Sequence, residues 1–319
     1  MKRSLIKITI LGVFLLLVIF TTKGQNRKYH SQFNAVRGYT NPALVGLEGS
    51  LIRGVARNQW VGFNGAPTSY LFLTEIDLPE FFGKPDSLPN TKNAIGISIL
   101  HDKIGAFNDT EINASYAVGI NLSQELILRL GATFQYNTVN LDGNKLNTQQ
   151  VGDPKINQYV GSFASMQIYD FNLGAGLVHP NFYLGYSIHH LNKGRFNAGD
   201  VFVTSIPFSH FVQSGFRFDL NDDMKIGGDF LLQEQVDLPV GVEFNIKTLF
   251  KDKIWVGMGH RIDYSNNFQL GVLLSDINFS YTYEIPRNRT FRLPNTTHEF
   301  VASFRLFSNS IRKYPVFSW

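Results

Sequence analysis

From position 51 to about 307, bulky apolar side chains recur on every second residue, with polar or small ones between them. In 109–120, Ile112, Ala114, Tyr116, Val118 and Ile120 fall on one side, and Asn113, Ser115, Ala117 and Gly119 on the other. In 125–137, Leu126, Leu128, Leu130, Ala132, Phe134 and Tyr136 oppose Arg129, Gly131, Thr133, Gln135 and Asn137, with Ile127 the one misfit. In 168–178, Tyr169, Phe171, Leu173, Ala175 and Leu177 oppose Asp170, Asn172, Gly174 and Gly176. Successive side chains of an extended chain point to opposite faces, so this period of two makes strands with one apolar and one polar face.

Fourteen segments carry the pattern: 51–60, 68–77, 94–101, 109–120, 125–137, 168–178, 182–191, 208–220, 224–233, 238–246, 254–261, 268–274, 277–284 and 298–307. Most have the length of a tilted transmembrane strand, about 9–11 residues. A soluble antiparallel sheet with its apolar face on a core shows the same alternation. Yet 28 Phe and 13 Tyr are spread over every segment, which suits a lipid-facing surface with aromatic girdles better than a single core. The expected fold is all-β: a transmembrane outer-membrane β-barrel of about 14 antiparallel strands. The connections 138–167, 192–207 and 285–297 are long, while 121–124, 179–181, 221–223 and 275–276 are tight. Short periplasmic turns and long external loops are the rule in such barrels. The long 78–93 link and the short one around Glu234 run against it. An even strand number places both termini in the periplasm.

The N-terminus supplies the route. Lys2, Arg3 and Lys7 precede an apolar run, 8–20, and Thr21 to Gly24 offers a small-residue exit. The run is too short for a spanning helix, which needs about 20 apolar residues, and reads as a cleavable export signal. The expected organisation is a signal peptide at 1–24, a periplasmic N-terminal segment at 25–50, the barrel at 51–308 and a C-terminal tail at 309–319. The formal charge of +4 resides in the four basic residues of the signal, Lys2, Arg3, Lys7 and Lys23; without them 25 basic residues face 25 acidic ones. Nucleic acid, which demands clustered Lys and Arg, is excluded as a partner. With no cysteine, disulfides, thiol chemistry and a lipid-modified cysteine are excluded as well.

The polar face is charged with both signs. Arg53, Arg57, Arg129, Arg217, Lys225, Arg261 and Arg305 accompany Glu75, Asp77, Asp170, Asp219, Asp229, Glu243, Glu284 and Glu299. A strongly ion-selective pore uses rings of one sign, whereas mixed charges pair across the interior and stiffen or plug it. Enzyme signatures fail. Gly185-Tyr186-Ser187-Ile188-His189 ends in His where a nucleophile elbow needs Gly. His298-Glu299-Phe300-Val301-Ala302 lacks the second His of a zinc helix. His189 and His190, adjacent on a strand, point to opposite faces. No catalytic residue, cofactor or metal is expected.

Three short motifs remain: Asn41-Pro42-Ala43, then Arg57-Asn58-Gln59-Trp60 sixteen residues after Asn41, then His298-Glu299 opening the last segment. In this order on a barrel-like body the chain resembles the PorP/SprF family of Bacteroidetes outer-membrane proteins. The resemblance implies a non-enzymatic part in type IX secretion or gliding motility, assisting export or surface attachment of large adhesin-like cargo through contacts with periplasmic machinery. Read from the residues alone, Pro42 shapes an extended turn, Trp60 is a girdle aromatic, and Arg57 and Gln59 meet either the N-terminal segment or a lumenal carboxylate. These motifs divide between barrel architecture and partner docking. The competing reading is a passive channel or hydrophobic-solute transporter.

Overall fold

An open sheet edge in hydrocarbon leaves backbone groups that no water can satisfy, and the chain answers by closing on itself. The computed structural model describes residues 28, 30–83, 91–146, 158–201, 204–287 and 296–307; the expected signal peptide and C-terminal tail lie outside them. The strands are β1 (Leu51–Asn58), β2 (Thr68–Asp77), β3 (Thr91–Ile104), β4 (Phe107–Asn121), β5 (Ile127–Asp142), β6 (Phe163–His179), β7 (Phe182–His189), β8 (Phe196–Gly199), β9 (Ser209–Asn221), β10 (Met224–Gln235), β11 (Gly241–Phe250), β12 (Ile254–Arg261), β13 (Ser265–Leu274), β14 (Ile277–Pro286) and β15 (Thr297–Arg305). Without β8, each pairs antiparallel with the strands before and after it, and β1 pairs with β15 to close a ring of fourteen.

All fourteen expected segments are staves of this ring. The unexpected strand is β8, four residues that pair only with the outer part of β6 and are too short to display a period. β5 and β6 run further toward the loops than expected, because Ala106, Leu141 and Ala164 form an apolar cluster of their own there. β1 is shorter than expected: it ends at Asn58, and Trp60 has a φ of 48°, which no extended strand accommodates.

One end of the ring carries the tight links 122–126, 180–181, 222–223, 251–253 and 275–276; the other carries 143–162, 190–208 and 287–296. Short links also occur at the long-loop end, 105–106, 236–240 beside Glu234, and 262–264, and one long link, 78–90, lies at the tight-turn end; it opens with a short helix, Leu78–Phe81, capped by the Asp77 side chain accepting from the Glu80 N–H at 3.1 Å. Glu80 in turn accepts the Ser50 N–H at 2.7 Å, so the link anchors the entry to β1. If the long loops are external, Arg195→Cys, exposed in the 190–208 loop, becomes labelled by a membrane-impermeant maleimide on intact cells. Labelling that needs outer-membrane disruption would reverse the orientation.

The two faces sort as the alternation demands. Phe72, Ile97, Tyr116, Phe134, Leu173, Leu184, Phe218, Phe244, Met258, Phe268, Phe279 and Phe300 are exposed outward around the whole ring, a surface only lipid can cover favourably. Most of the opposite residues point into the lumen and are buried there, although a lumen of fourteen strands is wider than the eight-stranded one that side chains fill alone. Ile127, the misfit, points inward and packs with Val178, Tyr183 and Leu44. What it meets is the N-terminal segment.

Candidate functional site

The described part of the expected periplasmic segment lies inside the barrel, almost continuously buried from His30 to Ser50. It enters at the long-loop end, where Lys28 Nζ reaches Asp109 and Glu111, near the start of β4, at 2.9 and 3.0 Å. It leaves at the tight-turn end, where Ser50 precedes β1. The strand termini share one end of the ring, as the even strand number requires, but Lys28 sits at the other. Mixed-sign lumenal charge is the physical reason: the wall offers partners for a backbone that water would otherwise solvate.

The first anchor joins two of the three motifs. Arg57 and Glu299 are register partners across the closing seam, and both are fully buried. Arg57 Nη1 lies 3.1 Å from Glu299 and Nη2 lies 3.0 Å from Glu284. Glu299 also accepts the backbone N–H groups of Ser31 and Gln32 at 2.9 and 2.8 Å, while the Ser31 hydroxyl donates to Glu284 at 2.5 Å. Arg261 extends the network, 2.9 Å from Glu243 and 3.8 Å from Glu284. Asn245 donates to the Ser31 carbonyl at 3.0 Å and Lys247 to Asn34 Oδ1 at 2.8 Å. A buried charge is tolerated only when paired and hydrogen-bonded, and this arrangement supplies both from wall and segment together.

The second anchor explains Asn41-Pro42-Ala43. Asn41 caps a single 3-10 turn, Pro42–Leu44: its Oδ1 accepts the Ala43 N–H at 3.0 Å, and Pro42 stands at the first helical position, where its missing N–H costs nothing. The turn lies so close to β5, β6 and β7 that a Cβ at Gly131 would overlap the Pro42 backbone, and Cβ atoms at Gly174 and Gly185 would collide with the Asn41 side chain. These glycines form a recess in the wall. Arg129 closes over it, donating to the Ala43 and Val45 carbonyls at 2.7 and 2.5 Å. Ser187 and His189, the residues of the failed nucleophile pattern, hold the Thr40 carbonyl at 2.6 and 2.8 Å.

A third cluster, toward the tight-turn end, joins Glu48 to Arg53 at 2.7 Å and to Arg37 at 3.3 Å. The Glu48 carboxylate is thus held between two buried guanidiniums, one from the segment and one from the wall. Between anchors, Val36 packs with Leu51, Val55, Leu71, Leu73, Leu100 and Val301.

The remaining motif residues lie apart. Asn58 is exposed and pairs in register with His298, whose ring meets the Tyr281 hydroxyl at 2.7 Å beside the outward aromatics. Gln59 is buried just past the strand, and Trp60 sits in the turn that follows. Sequence reasoning passed over Ser31, Gln32 and Glu48. A usable signal lay in Gly131, Gly174, Gly176 and Gly185: glycines on the polar face of neighbouring strands leave space that something else must fill.

A closed antiparallel barrel with an apolar belt and a charged, occupied lumen is an outer-membrane protein. The chain belongs to the type IX secretion system membrane protein PorP/SprF family, whose pattern matches residues 22–304. No curated protein sequence matches it significantly. Among solved structures, it is similar to the Pseudomonas putida toluene transporter TodX, at 9% identity and a TM-score of 0.49, over 89% of this chain and 98% of that one. It is also similar to the Acinetobacter baumannii outer membrane protein Omp33, at 10% identity and a TM-score of 0.46, over 81% and 98%.

Proposed function

We propose that this protein is a non-enzymatic component of type IX secretion that assists export or surface attachment of large adhesin-like cargo, working with periplasmic machinery. Family membership supplies the system. The observation that favours a docking role over a conduit is the lumen, which residues 30–50 occupy from the long-loop end to the tight-turn end and which holds them by the buried Glu48–Arg53 ion pair at one level and by hydrogen bonds to Glu299 at the other. A passive channel needs weak binding and a water path. Here interior charges are paired with one another and with the chain's own N-terminal segment, leaving the rims and loops as surfaces for partners.

Deletion of the gene is expected to leave particular surface proteins missing from the cell or released into the medium, with general solute uptake unchanged. Normal surface-protein display, together with loss of uptake of a small hydrophobic solute, would overturn this reading in favour of a transporter.

A further inference from the structure

On its outer face the closing seam is hollow. Gly54 on β1 pairs in register with Ala302 on β15, and Ala56, the next outward residue toward the long loops, pairs with Phe300. Gly54, Ala56 and Ala302 floor an apolar groove of about 830 Å³ in an otherwise bulky belt. Apart from its chain neighbours, a Cβ on Gly54 would meet no heavy atom within 4 Å, so the space above it is open. Phe72 and Tyr70 on β2, the register partners of Gly54 and Ala56, raise one wall. Phe279 and Tyr281 on β14 raise the other, where the Tyr281 and Phe300 rings pack with centroids 4.9 Å apart. Toward the tight turns bulk returns with the register pair Ile52 and Phe304, which ends the groove. Toward the long loops the surface turns polar. His101 lines the groove there, Asn58 and His298 face each other across the seam, and the exposed Lys103 follows His101 on the same face of β3.

We propose that this groove seats one acyl chain of a lipopolysaccharide molecule, with Lys103 holding the phosphorylated headgroup. The groove is continuous with the lipid-facing belt, so its occupant comes from the membrane. Short periplasmic turns and long external loops put its polar end at the outer surface, where lipopolysaccharide is the lipid. Dimensions select a chain over a helix. From Ile52 to Asn58 the strand runs about 20 Å, and at the usual tilt of about 35–45° this covers roughly 15 Å of depth, one leaflet of a core about 30 Å thick. At Ala56 the flanking Tyr70 and Phe300 stand on adjacent strands, each about 4.8 Å away, which leaves no room for a helix about 10–12 Å across. A polymethylene chain reaches the floor. Lipid tails are as apolar as the groove, so burial alone gives no preference. The gain is close packing against Gly54 and Ala302, together with charge-assisted hydrogen bonds from Lys103 to phosphate.

The test titrates the full-length protein, purified in detergent and freed of lipid by exchange, with lipid A or with phosphatidylethanolamine, and counts bound molecules by native mass spectrometry. One lipid A per barrel is expected, bound about tenfold more tightly than phosphatidylethanolamine. Gly54→Leu, whose side chain enters the open space, should weaken lipid A binding about tenfold, and Ala302→Leu provides the same reading should the first variant fail to fold. Lys103→Gln should bring lipid A down to the level of phosphatidylethanolamine and leave the latter unchanged. Leu184→Ile, in the belt on β7 across the ring, should alter neither. Heat-modifiable migration reports that each variant folds. Equal binding of the two lipids by the parent, or groove variants that bind lipid A like the parent, would overturn the proposal. So would tighter binding of phosphatidylethanolamine, which would assign the groove to a phospholipid.

Discussion

Deleting residues 28–47, with residues 1–27 and every strand retained, is expected to convert a barrel that passes little current in planar bilayers into a steadily conducting pore. Eight-stranded barrels are filled by their own side chains, and those of 16 to 18 strands leave an aqueous channel; a ring of fourteen lies between. In this protein the wall does not fill the gap, since Gly131, Gly174 and Gly185 place no side chain where Asn41 and Pro42 sit. Once the segment is gone, the lumen is lined by Arg57, Arg129, Arg261, Glu284 and Glu299, which water solvates readily. A deletion variant that stays silent while folding normally would show that something other than the segment closes the lumen.

Arg57→Ala is expected to destabilise the folded protein by about 3–5 kcal/mol, the usual result of removing one member of a buried ion pair. Glu284 and Glu299 would remain facing each other and the Ser31 hydroxyl with no cation between them. Arg261 is already engaged by Glu243 at 2.9 Å and reaches only Glu284, at 3.8 Å, so it does not replace Arg57 at Glu299. Urea unfolding in detergent measures the loss. Trypsin measures its local form: Arg37 is buried in the parent and becomes a cleavage site when the segment loosens. Arg57→Ala combined with Glu299→Gln should recover part of the loss, since the second change removes a charge left unpaired by the first. A single variant with unchanged unfolding and unchanged cleavage would assign Arg57 to partner contact instead of to the interior.

The barrel was legible because its two faces meet different media. Phe134 and Gln135 are neighbours in sequence, one against lipid and one buried in the lumen, and that contrast recurs often enough to count fourteen staves. β8 was not legible, being four residues without a repeat. The motifs were legible as markers, but not as parts. Arg57 and Glu299 lie 242 residues apart and become partners only because the first and last staves close the ring, a fact of topology that no local spacing carries. The position of the segment was hidden for a different reason: His30 to Ser50 has no alternation and no long helix, and its backbone is satisfied by wall residues scattered over the whole chain.

Glu299 receives Arg57 from the stave beside it and two backbone donors from Ser31 and Gln32 in the segment. One carboxylate thus ties the zippering of β1 to β15 to the seating of the N-terminal strap. During assembly in the membrane, a ring that closed with the strap outside would leave Glu299 with Arg57 alone, without its two backbone donors, whereas a strap already in place gives the last stave something more to close upon. The segment is in this sense a mandrel that steadies the seam between the first and last strands.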